Sequence, residues 1–430
     1  MTAPPGPGVT GGARPLVDLA RRLKPLGRRA VDKVVQPYVD QVVDRVARVA
    51  VSSDAALPAH FTVLQETLHE ARTLALADVP KGAGRVLSAG ASGTWYFRWI
   101  EDVYGPVAHH IGVEAYSPRP DGLPANVEWI AADLAAPGGI HTIGTHGVDL
   151  VFSGQNVEHL WPEQMVTFFE EASRVLRPDG LLVIDSPNRA LTAAYRWSMA
   201  EHTVELTPSE AADVLSAAGF AVERMKGVWL CRDHGELLPL EADPLSTGSA
   251  GIVRRFALAA ARPDESFIWW AEARRVADPQ PRLLRSLVHD LFAANWDERV
   301  SRLRILGGRA VPWRDGSDGV VVAKGDAVVA TEGPSMPLPA GEYAASIEVA
   351  WRSCDPGATP ARLEVVIDGR VVGSVDMSPG GAPEGTATLR CPFSLDARCV
   401  GVSARLVTTG FAEVAAPLAL ALAPAPWMGR

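Results

Sequence analysis

Cysteine is scarce in this chain: Cys231, Cys354, Cys391 and Cys399 are the only four in 430 residues, and no two form a CxxC pair. Such scatter argues against a zinc ribbon or a disulfide framework and suits a reducing compartment, where buried thiols act as small apolar fillers. A Cys391–Cys399 disulfide is the pairing left open. Long apolar runs are missing too. The most apolar late segment, 414–427, is short and broken by prolines, so it reads as no membrane span. The start, 1–12, is rich in Pro and Gly and lacks the apolar core of a signal peptide. An excess of positive charge is also absent: the formal net charge is −9, which argues against a general nucleic-acid binder. The expectation is a soluble, cytoplasmic protein with no nucleic-acid partner.

What is present is ample apolar material. Hydrophobic residues make up 47% and charged residues 21% of the chain, enough for two to four globular domains. Residues 14–50 carry apolar side chains at helical spacing, from Leu16, Leu19, Leu23 and Leu26 to Val31, Val35, Val39, Val42 and Val46. Pro25 and Pro37 divide them into shorter helices. Arg21, Arg22, Lys24, Arg28, Arg29 and Lys33 cluster on the first half. Residues 1–80 therefore read as a helical arm. It packs on its own domain or on a twin subunit in a homo-oligomer, or rests as a basic amphipathic element on an anionic membrane surface, a peripheral contact at the inner face. A second helix, 61–77, leads to the boundary at Pro80-Lys81-Gly82.

Residues 81–262 alternate strand and helix. Strands are expected at 85–88, 110–114, 127–131, 148–152, 181–185, 221–228 and 254–260, and helices at 94–103, 163–175 and 208–218. Seven strands with interleaved helices indicate an open α/β sheet. The last helix opens with Thr207, Pro208 and Glu210, a capping box with proline at the first helical position. Residues 263–305 read as a helical connector split by Pro279 and Pro281. Beyond 306, short strands separated by Gly, Pro and Asp turns indicate an all-β sandwich. Alternation within 342–351 places Tyr343, Ile347, Val349 and Trp351 on one face, as core.

Between the first strand and the first helix of the α/β region lies Ser88-Ala89-Gly90-Ala91-Ser92-Gly93-Thr94. Small residues there let a ligand touch the backbone, and the helix N-terminus offers its N–H groups. Glu114 ends the next strand about 24 residues later, where a carboxylate can accept both hydroxyls of a ribose. Asp133 follows the third strand, as a ligand contact or a helix N-cap. The fourth strand delivers Ser153 and Asn156 to the carboxyl edge of the sheet, where open α/β sheets bind ligands.

This order of features resembles the class I S-adenosylmethionine-dependent methyltransferases: a (D/E)xGxGxG loop, an acid after strand two, an acidic turn after strand three, an "EH(V/L)" segment (here Glu158-His159-Leu160) after strand four, and a turn like Arg177-Pro178-Asp179-Gly180. The resemblance implies a Rossmann-like seven-stranded sheet and S-adenosylmethionine as cofactor, held by Ser88, Gly90, Ser92, Gly93, Glu114, Asp133, Ser153 and Asn156. The chain departs from the pattern at Ser88, where the family often has a carboxylate.

Methyl transfer to a hydroxyl needs alignment and a base. Candidates are His159, His202 and Asp185, near Glu158, Asn188, Glu201 and Glu205. Asp185 with His159 or Glu158 can also be imagined around a divalent ion, but without a tight ligand spacing no metal is assigned. Segments 185–189 and 201–206 resemble bacterial methyltransferases of cell-envelope polysaccharide synthesis, and the 306–430 module resembles jelly-roll, carbohydrate-binding-like sandwiches. These resemblances imply O-methylation of a sugar in a glycan or glycolipid acceptor. The alternatives are a non-catalytic glycan-binding scaffold with a degenerate methyltransferase fold, and a small-molecule or lipid methyltransferase.

Overall fold

Apolar side chains in short runs, punctuated by glycine and polar turns, build a seven-stranded sheet from residues 85–275. It is seen in a computed structural model that describes residues 59–91, 93–197, 199–240, 252, 254–300 and 302–424. The N-terminal arm up to 58 and Ser92 lie outside the described residues. Helix α1 (Ala59–Ala77) precedes β1 (Arg85–Ala89), α2 (Thr94–Tyr104), β2 (His109–Glu114), β3 (Val127–Ala131) and β4 (Val148–Gly154). Then come α3 (Pro162–Val175), β5 (Leu176–Pro187), α4 (Arg189–Ala194), α5 (Pro208–Ala217), β6 (Phe220–Leu230) and β7 (Ser266–Arg275).

The strand order is β3-β2-β1-β4-β5-β7-β6. Strands β1 to β5 pair in parallel, and β7 runs antiparallel to both β5 and β6. The order reverses between β1 and β4, so the loops after these two strands open a crevice at the carboxyl edge. Helix α5 begins as its sequence dictates: Thr207 accepts from the Glu210 N–H and the Glu210 carboxylate accepts from the Thr207 N–H.

Two expectations are corrected. Residues 254–259 are helical rather than a strand. The seventh strand is β7, in a stretch expected as helix, and it carries the sheet to Arg275, past residue 262. The run Arg254-Arg255-Phe256-Ala257-Leu258-Ala259 is dominated by Ala, Leu and Arg, good helix formers. Phe267-Ile268-Trp269-Trp270 lies in a strand flanked on both sides, with all four residues buried, so it shows no alternation that would betray a strand.

By its internal contacts the chain forms two units. The first holds the described residues up to Val157, with Gln164–Leu191 and Leu206–Leu284. The second holds Glu158–Glu163, Thr192–Glu205 and the described residues from Arg285. Helix α6 (Pro281–Arg299) is followed by the sandwich strands β8 (Arg304–Ile305), β9 (Arg309–Pro312), β10 (Asp318–Val322), β11 (Val329–Leu338), β12 (Gly341–Arg352), β13 (Ala361–Ile367), β14 (Arg370–Asp376), β15 (Gly385–Leu395), β16 (Cys399–Thr408), β17 (Glu413–Pro417) and β18 (Ala421–Ala423). They form sheets β8-β11-β16-β13-β14 and β9-β10-β17-β12-β15, with β18 pairing β12. Tyr343, Ile347, Val349 and Trp351 all lie in the buried core of the sandwich. The four cysteines are free thiols. No helix among the described residues is long and apolar enough to cross a membrane.

Candidate functional site

The turn after β1 is tied to the end of β2: the N–H groups of Gly90 and Ala91 donate to the Val113 carbonyl at 3.0 and 3.3 Å. Gly90 has φ +78, and a Cβ there would stand 2.6 Å from Asn156 Oδ1, so position 90 needs glycine for conformation and for space. Asn156, just beyond β4, donates through Nδ2 to the Ser153 hydroxyl at 3.1 Å. Gly90, Ser153 and Asn156 thus come together across the β1/β4 crevice. Gly93 caps α2 without a side-chain bond, leaving the positive end of that helix to attract an anionic group.

Glu114 Oε1 accepts from the N–H groups of Tyr116 and Ser117 at 2.7 and 3.1 Å. These bonds fix the carboxylate at the edge while Oε2 makes no hydrogen bond among the described residues, the arrangement a ribose diol requires. Tyr116, two residues on, is 89% exposed beside this carboxylate. Asp133 Oδ1 accepts from the Ala135 N–H at 2.9 Å, a turn-capping bond, and Oδ2 accepts from Gln164 Nε2 at 2.5 Å. Gln164 was not foreseen, because it comes from α3, 31 residues away.

Ser88 was placed among the cofactor contacts, but its hydroxyl is buried and lies 2.7 Å from His110 Nε2. Burial, and then the neighbouring His109, push the His110 imidazole down to about 3, so the ring is neutral and the pair is uncharged. A hydroxyl–imidazole bond therefore occupies the position where the family pattern has a carboxylate.

Asp185, expected as a base, is fully buried and its oxygens are engaged. Oδ2 meets Arg72 Nε at 2.6 Å, and Oδ1 accepts from the N–H and Nε2 of Gln155 at 2.8 and 3.1 Å. Gln155 has φ +54, a left-handed conformation that costs energy for a residue with a side chain. Asp185 holds that turn, the one that presents Asn156, and its partner Arg72 on α1 was missed because 113 residues separate them.

The second unit assembles a different cluster. His159 Nδ1 lies 3.1 Å from the Glu201 carbonyl, and the His159 and His202 rings meet edge to face with centroids 4.9 Å apart. His202 Nδ1 lies 2.9 Å from Glu205 Oε1. Burial alone would raise the Glu205 carboxyl, but the hydrogen bond from His202, the Arg299 charge and the Thr192 hydroxyl hold it down to about 2. Glu158, His159 and His202 each place one ligand-type atom within 4.8 Å of the others. The sandwich also bears an open groove of about 720 Å³ whose lining includes Arg309, Trp313, Arg314, Arg352, Glu384 and Glu413.

Residues 107–184 match the family model described as a methyltransferase domain. A Mycolicibacterium smegmatis protein named a probable S-adenosylmethionine-dependent methyltransferase is 39% identical over 84 residues, 19% of this chain and 32% of that protein. A Mycobacterium tuberculosis protein named likewise is 34% identical over 134 residues, 31% of this chain and 42% of that protein. The chain's match thus spans about a third to two fifths of these relatives. A solved S-adenosylmethionine-dependent methyltransferase from Archaeoglobus fulgidus has 18% identity and a TM-score of 0.35, covering 48% of this chain and 93% of that chain. Residues 107–184 are thus similar to a methyltransferase domain, within a unit whose strand order and glycine turn open a carboxyl-edge crevice, and the curated relatives matched are named for S-adenosylmethionine as cofactor.

Proposed function

We propose that the protein is an O-methyltransferase acting on a sugar hydroxyl of a polysaccharide or glycolipid. The observation that carries the methyltransferase part is the carboxyl-edge cradle, in which a glycine turn, a strand-end carboxylate and Asn156 converge. Gly90 and Gly93 let backbone N–H groups approach the methionine end of the cofactor, Glu114 accepts from the ribose hydroxyls, and Asp133 receives the adenine amino group. Ser153 and Asn156 form the wall. S-adenosylmethionine supplies an electrophilic methyl group whose leaving thioether is neutral. The protein's task is alignment and removal of the hydroxyl proton. Asp185 acts as a positioning residue that holds the Asn156 turn.

The sugar acceptor is supported by the likeness of segments 185–189 and 201–206 to envelope-polysaccharide methyltransferases. The sandwich groove adds to it, since it sets an indole beside charged side chains, the chemistry that stacks on and hydrogen-bonds to sugar rings. A second reading, a glycan-binding scaffold without turnover, is favoured by one observation: Ser88 is bonded to His110 where the family has an acid.

Calorimetric titration with S-adenosylmethionine tests the cradle. The native chain binds, and Glu114→Ala weakens binding by about 10- to 100-fold, the worth of charged hydrogen bonds. Unchanged affinity in that variant overturns the assignment. Label carried from S-adenosylmethionine to an envelope glycan supports the sugar acceptor, label carried only to a lipid or small molecule replaces it, and glycan binding without transfer supports the scaffold.

A further inference from the structure

The geometry points to a divalent transition-metal site in the second unit, formed by Glu158, His159 and His202 and suited to zinc. This goes beyond methyl transfer and does not rest on it. The ligand atoms lie within 4.8 Å of one another. Ligands bound at about 2.0–2.2 Å on a tetrahedral ion lie roughly 3.3–3.6 Å apart, so side-chain shifts of up to about 1.5 Å complete the set.

Both imidazoles are held by their Nδ1 atoms. A carbonyl oxygen only accepts, so the 3.1 Å contact to Glu201 makes His159 Nδ1 the donor and puts the neutral ring's lone pair on Nε2. The Glu205 carboxylate does the same for His202 at 2.9 Å. A carboxylate or carbonyl on the far nitrogen is the outer shell that metal-bound histidines use to fix tautomer and direction. Glu205 is itself steadied, since its N–H donates to Asn295 Oδ1 at 2.8 Å and its Oε2 accepts from the Thr192 hydroxyl.

The two ligand-bearing segments are joined by bonds that need no ion. The Glu158 carbonyl accepts from the Thr203 N–H at 2.7 Å and from the Thr203 hydroxyl at 3.1 Å, and Arg299 donates to the His202 carbonyl at 2.7 Å. Glu158 and His202 are 1% and 3% exposed, while His159 is half-buried and gives a path from solvent. A buried carboxylate beside two imidazoles gains from a cation that offsets its desolvation. Two nitrogens and one carboxylate oxygen select zinc, cobalt, nickel or iron over magnesium and calcium, which prefer oxygen alone. Three protein ligands leave a position open for water or a substrate oxygen.

The test uses the full chain, without a histidine tag and stripped by chelator, titrated with Zn²⁺ by calorimetry and with Co²⁺ by visible absorption. One equivalent binds with micromolar or tighter affinity, and Co²⁺ gives the d–d bands of a nitrogen/oxygen site. His159→Ala and the near-isosteric Glu158→Gln weaken binding by at least about 100-fold, and Glu205→Gln by about 10- to 100-fold. Circular dichroism and S-adenosylmethionine affinity stay native, which separates ligand loss from misfolding and this site from the cofactor cradle. Substoichiometric binding by the native chain, or unchanged binding in both His159→Ala and Glu158→Gln, overturns the site.

Discussion

Asp185 in the first unit and Glu205 in the second are both buried carboxylates on several donors, yet they are put to opposite uses. Asp185 spends its oxygens on a guanidinium and a backbone turn. It ends as a fixture, holding Gln155 in a left-handed conformation so that the next residue faces Gly90. Glu205 spends one oxygen on a histidine and takes part in that side chain's chemistry, fixing the tautomer and direction of His202. Burial and charge alone therefore do not mark a catalytic acid. What the carboxylate touches decides, and a partner that titrates or ligates is the informative one.

Breaking the Asp185 pair has the largest expected effect. Asp185→Ala leaves Arg72 buried without its carboxylate and Gln155 without its anchor. The expected loss is about 3–5 kcal/mol of unfolding free energy, measured by urea denaturation. A loss below about 1 kcal/mol would show that the pair is not the clamp described. S-adenosylmethionine affinity should fall as well, because the Asn156 turn loosens.

The Ser88–His110 pair sharpens the contrast, since it buries a titratable group in its neutral form. Its folded value, about 3, lies below the ordinary 6.5, so the unfolded chain takes up a proton first as pH falls. The stability tied to this neutral ring is fully present above about pH 6.5 and is lost as pH falls from there toward 3. Within that window the slope is about 1.4 kcal/mol per pH unit. His110→Asn should flatten the curve of unfolding free energy against pH by that amount between pH 6 and 4. Parallel curves for the two proteins would refute it.

Local signals made much of this legible. The capping box at Thr207 and Glu210 spans three residues and is complete in the sequence, as is the alternation that buries Tyr343, Ile347, Val349 and Trp351. The places of Gly90 in a turn and of Glu114 at a strand end were readable because a strand-turn-helix and a strand end fix their surroundings within a few residues. The use of Asp185 was not, because Arg72 arrives from 113 residues away. Nor was the meeting of His159 with His202, 43 residues apart in the chain. Strand β7 was missed for a different reason: when both faces of a strand are buried, the alternation that distinguishes strand from helix disappears.

The smallest effect separates the two carboxylates most finely. Thr192 donates its hydroxyl to Glu205 Oε2, while His202 bonds the other oxygen and Asn295 takes the backbone N–H. Thr192→Val keeps the shape and removes one donor among several. The expected loss is about 1–2 kcal/mol, well below that of Asp185→Ala, because the remaining partners still compensate the charge. His202 should keep its tautomer, since the Glu205 Oε1 contact that sets it is untouched; its ¹⁵N shifts would report this directly. If Thr192→Val cost as much as Asp185→Ala, Glu205 would also be a structural clamp, and the contrast between the two units would fail.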